Sequence, residues 1–163
     1  MKQKLTPCLW YDGNAREAAN FYASVFKDSD IGETWKYDEA SAQASGQPAG
    51  SDLVVEFEIA GHKFVGLNGG PHFKFNEAIS FMIDCKDQAE VDHFWSALTS
   101  DGGAESQCGW LKDRFGLSWQ VVPTVMSDLV NGPDREGAKR AMAAMMTMKK
   151  IDIQKIQDAY DGK

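Results

Sequence analysis

The chain has little of what staples a fold or binds polyanions. Its three cysteines, Cys8, Cys85 and Cys108, are odd in number and fall in or beside strand-like segments. That argues against a disulfide framework and for reduced thiols in a cytoplasmic protein. Basic residues are also short: 17 Lys and Arg face 24 Asp and Glu, a net charge of −7. With no basic run to offset it, neither a nucleic acid nor an anionic membrane is expected as a partner. No apolar run approaches a membrane span, and the Lys-rich start lacks the apolar segment of a secretory signal. Histidine is scarce too, with only His62, His72 and His93.

What the chain does contain is a repeat. Leu9–Phe26 (LWYDGNAREAANFYASVF) resembles Phe81–Thr99 (FMIDCKDQAEVDHFWSALT), and a displacement of 73 puts Glu17 on Glu90, Phe21 on Phe94 and Tyr22 on Trp95. Each copy reads as a strand, a polar turn and an amphipathic helix. The helical faces are Ala18, Ala19, Phe21, Tyr22, Val25 and Phe26 in one, and Val91, Phe94, Trp95 and Leu98 in the other. Asn14 and Asp87, again 73 apart, are suitable N-caps. The strands match best at 72, so that Cys8 and Trp10 correspond to Ser80 and Met82. The competing reading is that any two amphipathic βα units look alike; a true repeat at this period means a duplicated supersecondary unit.

Further strands are expected at Ile31–Tyr37, Asp52–Ile59, Phe64–Leu67, Glu105–Leu111 and Leu117–Val122, with a tight turn at Ala60–Lys63. Ala40–Gly50 reads as a surface loop and Lys112–Asp113–Arg114 as a charged turn. Two helices close the chain, Met- and Ala-rich Ala138–Met148 and shorter Asp152–Tyr160. The expected fold class is therefore α+β: two β-α-β-β-β modules in a single domain. Module one covers about 1–79, module two about 80–123, and a helical extension about 124–163.

The segments NGGPHFKFN (Asn68–Asn76), CGWLKD (Cys108–Asp113) and GLSWQ (Gly116–Gln120) carry a resemblance. With the paired modules, they resemble the PhnB-like branch of the vicinal oxygen chelate superfamily, which holds glyoxalase and bleomycin-resistance relatives. The resemblance spans roughly Leu5 to Pro123 and reaches Met145–Ile153 in the tail. It implies that each module curls into half of a cup with the ligand inside, and that the protein is a homodimer. In metal-dependent members, His or Glu at matching positions of both modules hold a divalent ion. Here the first-strand position falls near Thr6–Cys8 and, in the second copy, near Ser80. The last-strand carboxylate position falls on Gln120, and its counterpart strand offers only Asn68. None of these is a strong ligand for such an ion, so no metal and no cofactor is expected. Members often carry a demethylubiquinone methyltransferase label. Neither Asp12–Gly13–Asn14 nor Asp84–Asp87 is the glycine-rich strand-to-helix turn that a nucleotide-like cofactor needs, so methyl transfer is not expected.

Strand phase and the resemblance together nominate Cys8, Trp10, Asn68, His72, Phe75, Cys108, Trp110 and Gln120 as ligand-binding residues. Each has a structural alternative. Gln120 is either a ligand contact or a buried amide satisfying the backbone. His72 either titrates in the cup or fixes the linker by hydrogen bonding. Gly69–Gly70–Pro71 either admits a ligand or meets unusual dihedrals. Cys108 shows no base that would make it a nucleophile, and Glu56 and Glu58 read as a solvated face. The function expected is binding or sequestering of a small molecule. A glyoxalase-like enzyme of lyase, isomerase or dioxygenase type is the alternative, and the ligand is not specified.

Overall fold

The computed structural model describes residues 3–163, which divide into two compact units with the boundary between Lys74 and Phe75. The first unit runs β1 (Cys8–Tyr11), α1 (Ala15–Val25), β2 (Asp30–Lys36), α2 (Glu39–Ser45), β3 (Asp52–Ile59) and β4 (His62–Asn68). Its sheet has the order β1-β4-β3-β2, with β1 parallel to β4 and the other pairs antiparallel. Alternation along the strands decides which side is covered. Leu9, Tyr11, Val55, Phe57, Ile59 and Phe64 are buried together with Ala15, Ala18, Ala19, Tyr22 and Val25 of α1. Each large side chain removed from water in this layer is worth about 1.5–3 kcal/mol.

The second unit repeats the plan. It runs β5 (Phe81–Cys85), α3 (Gln88–Thr99), β6 (Ala104–Glu105), β7 (Trp110–Lys112) and β8 (Ser118–Pro123), with sheet order β5-β8-β7-β6. Again the first strand is parallel to the last. Val91, Trp95 and Leu98 of α3 are buried with Ile83, Cys85, Leu111, Trp119 and Val121. The α+β class and the two β-α-β-β-β modules are as expected. Three more helices follow, α4 (Met126–Val130), α5 (Arg135–Met145) and α6 (Ile153–Asp161). They build their own core from Met126, Leu129, Ala141, Ile151 and Ile156.

Several expectations need correcting. The supposed loop at Ala40–Gly50 contains α2. Asp38 accepts the Ser41 N–H while the Ser41 hydroxyl accepts the Asp38 N–H, and Gly46 ends the helix at φ 73°. A local capping box outweighed a composition that looked flexible. Glu105–Leu111 is not one strand: it breaks into β6 and β7, because Cys108 and Gly109 take φ of 56° and 82°. Asp87 caps α3 as expected, but Asn14 makes no side-chain cap bond. The α1 cap comes instead from Asn68, whose Oδ1 accepts the Ala15 N–H at 2.9 Å.

The strand displacement is also revised. Counted outward from the hairpins, Glu56, Val65 and Cys8 lie abreast in the first sheet, and Trp110, Gln120 and Met82 in the second. The final ladder bonds agree: Gly69 N–H donates to Tyr11 O and Thr124 N–H to Cys85 O. Cys8 therefore corresponds to Met82 and Tyr11 to Cys85, a displacement of 74. The parity, and hence the face, is unchanged. Only the turn before the helix differs in length by a residue.

Candidate functional site

Each sheet has one face covered by its helix and one face turned away from it. On the uncovered face of the first sheet, β1 supplies Cys8 and Trp10. Val65 and Glu56 lie abreast of Cys8, and Leu67, Val54 and Trp35 abreast of Trp10. Trp10 is only half-buried, but much of it is already engaged. Its indole N–H donates to Gly70 O at 2.8 Å, and its ring meets Phe73 edge-on at 4.8 Å. Gly69 is required here, since a Cβ at that position would sit 2.1 Å from the indole. The Gly-Gly segment thus admits a side chain of the protein itself.

Asn68 lies on the covered side. It is 4% exposed, and its amide is spent between the Ala15 N–H and the Asp52 carbonyl, both at 2.9 Å. Strand phase explains this: Asn68 follows Phe64 and Gly66 toward α1, and Val65 and Leu67 take the other side. His72 is exposed in the segment that follows β4.

In the second unit the uncovered face carries Met82, Gln120 and Trp110 abreast, followed by Ser118 and Lys112. Gln120 points to this face, as expected from its phase, and its amide donates to the Ser80 hydroxyl at 2.9 Å. Trp110 stands directly opposite it. Cys108 does not join them. It occupies the turn before β7, with its sulfur 3.7 Å from Met145 O and from Met146 Sδ, and its N–H bonds Met148 O. Phe75 is half-buried at the start of this unit. Within a unit, then, the structure brings together Cys8 with Trp10, and Trp110 with Gln120.

A hollow of about 220 Å³ lies along the β6–β7 side of the second sheet, lined by Glu77, Glu105, Ser106, Trp110, Lys112 and Ser118. Ser118 is 1% exposed, and its hydroxyl has no hydrogen-bond partner among the described residues. A buried hydroxyl left unpaired costs about 1–3 kcal/mol. Lys112 pairs with Glu77 across the hollow, and that contact holds the Glu77 carboxyl below its usual range. Glu105 is lowered chiefly by the indole N–H of Trp95, 2.9 Å away, and also by Lys149. Sequence reading missed Lys112, Glu77 and Glu105 as site residues. Phase along β8 could have found Ser118, but Lys112 needed the hairpin register.

The hairpin that carries this site is organised by Asp113. In the expected charged turn Lys112 and Arg114 are partly exposed, but Asp113 is buried, at 2% exposure. Its carboxylate accepts the N–H groups of Phe115 and Leu117 and the indole N–H of Trp119, at 2.9, 3.1 and 2.8 Å.

The residues do not fit a catalytic divalent ion. The equivalent positions of the two modules hold Cys8 and Val65 in one, Met82 and Gln120 in the other. Sulfur, hydrocarbon and a single amide are a poor set for a hard cation that needs carboxylate or imidazole. Among the described residues, no three of His, Cys, Asp and Glu converge.

Duplicated β-α-β-β-β modules with this strand order give the chain a glyoxalase-like fold. Residues 3–122 match the 3-demethylubiquinone-9 3-methyltransferase family, and the chain belongs to it. A PhnB protein from Bacillus cereus, described as a 3-demethylubiquinone-9 3-methyltransferase, is 30% identical with a TM-score of 0.65, covering 75% of this chain and 100% of that one. Protein PA1353 from Pseudomonas aeruginosa is 19% identical with a TM-score of 0.58, over 75% of this chain and 98% of that one. The fosfomycin resistance protein FosX from Listeria monocytogenes shares the fold at 10% identity, with a TM-score of 0.51 over 76% and 93% of the two chains. No curated protein matches the chain significantly.

Proposed function

We propose that this protein binds a small molecule without a metal, and that its second sheet supplies the site. The observation that carries this reading is the hollow walled by Trp110 and lined by Ser106, Lys112 and Ser118. Trp110 gives the hollow one aromatic wall, and the largely polar remainder of its lining suits a ligand that carries polar or charged groups. Gln120 extends the site beside Trp110, because its amide offers both a donor and an acceptor without charge. Methyl transfer is not part of the proposal: neither strand-to-helix turn has the residues to cradle a nucleotide-like cofactor. The reading retains a cytoplasmic homodimer, and the exposed Met142 and Met146 offer apolar surface for self-association.

The test is a thermal-shift screen of small metabolites on the full chain, followed by titration of Trp110→Ala and Gln120→Leu with any hit. Loss of Gln120 should weaken a ligand that contacts it by about 1–3 kcal/mol. Gln120→Glu restores the ligand type of metal-binding relatives and should create weak metal affinity. Hits that bind both Trp110→Ala and Gln120→Leu as tightly as the parent would refute this site.

A further inference from the structure

The hollow beside β7 contains one cation whose partner is poorly anchored. Lys112 projects from β7 directly opposite Ser118 of β8, and both line the hollow. Among the described residues its ion-pair partner is Glu77, with side chains 38% and 63% exposed. Glu77 belongs to no helix or strand; it lies in the turn leading to Ser80, where the Asn76 side chain accepts the Ala78 N–H. The second carboxylate of the hollow is engaged elsewhere. Glu105 accepts the Trp95 indole N–H at 2.9 Å and lies 3.4 Å from the Lys149 ammonium. An exposed pair such as Lys112–Glu77 is worth little, because solvent screens it and ordering two long side chains opposes it. The Lys112 side chain shares the hollow with the Trp110 indole.

Resting on the binding role proposed above, we propose that Glu77 is an internal stand-in for the ligand. The hollow takes a small planar carboxylate, which displaces the Glu77 carboxylate from Lys112. The ligand's carboxylate then holds the ammonium, and the ligand's ring lies on Trp110. A neutral ligand of the same shape gains no ion pair and must leave Glu77 in place. Exchange at the Lys112 ammonium thus becomes a selection for anions.

The test uses benzoate, benzamide and benzyl alcohol as probes of the full chain, read from the Trp110 indole and Ser118 amide signals by NMR. Benzoate should shift both signals and bind several-fold tighter than benzamide. Glu77→Ala should tighten benzoate about two- to fivefold, the worth of an exposed ion pair. Lys112→Met should erase the difference between benzoate and benzamide. If benzamide binds as well as benzoate and Glu77→Ala changes nothing, the carboxylate inference falls while the binding site stands. If no probe of any charge shifts either signal, both fall.

Discussion

Asp113 offers the sharpest test of how the site is held. Three donors converge on its buried carboxylate: two backbone N–H groups reach Oδ1, and the Trp119 indole reaches Oδ2. An asparagine has one oxygen and one NH2. Whichever way it turns, the NH2 faces a donor, and at least one buried N–H is left unpaired. Hydrogen bonds to a charged group are worth about 1.5–3 kcal/mol, and stranding a buried donor costs about 1–3 kcal/mol. These terms overlap and do not add. Asp113→Asn should therefore destabilise by about 2–4 kcal/mol, and Asp113→Ala by about 3–5 kcal/mol. Urea unfolding of the full chain, followed by far-UV dichroism and tryptophan fluorescence together, measures the loss. Asp101→Asn is the control; its partner is Arg114 at 2.9 Å and its side chain is 70% exposed, so it should change stability by less than about 0.5 kcal/mol. Because Trp110, Lys112, Ser118 and Gln120 all belong to this hairpin, ligand affinity should fall along with stability. An Asp113→Asn protein as stable as the parent, with its Trp119 indole signal unmoved, would refute the reasoning.

Three other outcomes are expected. Asn68→Ala removes the bonds to Ala15 N–H and Asp52 O and should cost about 1–2 kcal/mol in the same urea assay, the scale of a lost helix cap. Burial pushes the Cys85 thiol up to about 12. Its folded value thus lies above an unfolded value near 8.5, so its contribution is complete below about pH 8.5 and is lost as pH rises toward 12. Stability curves at high pH check that, and iodoacetamide should label exposed Cys8 well before buried Cys85. A chelator should leave the melting temperature nearly unchanged, since no metal-binding free energy would be removed; a large drop would refute the donor argument.

Much of the fold was legible because it is written twice. The helical faces of α1 and α3 and the phases of β3 and β8 follow from apolar spacing alone. What escaped was set by contacts distant in sequence or by single backbone angles. Nothing local distinguishes Asn68 from Asn14 as the cap of α1; the choice follows from β4 lying beside β1. Asp113 sits between a lysine and an arginine and looks solvated until the hairpin folds its donors onto it. Cys108 takes a left-handed conformation rare for a side chain with a Cβ, so alternation carried it wrongly onto a strand. For the site, phase was enough to place Gln120 and Trp110. Lys112 and Glu77 needed strand register and tertiary folding.

The turn between β6 and β7 has a consequence for where this protein can be cut. The family match covers residues 3–122, yet the unit goes on to residue 163. Cys108 and Gly109 give their N–H groups to Met148 and Lys149, beyond α5, and a Cβ at Gly109 would lie 3.3 Å from Ile151. The end of the family match and the end of the compact unit therefore do not coincide. A chain ended after Pro123 would keep every strand of the second sheet but leave two amides of the site-bearing turn bare, together with the apolar side of Val122. The matched region thus leans on a segment outside the match, and substitutions around Met148 should reach Trp110 through the backbone.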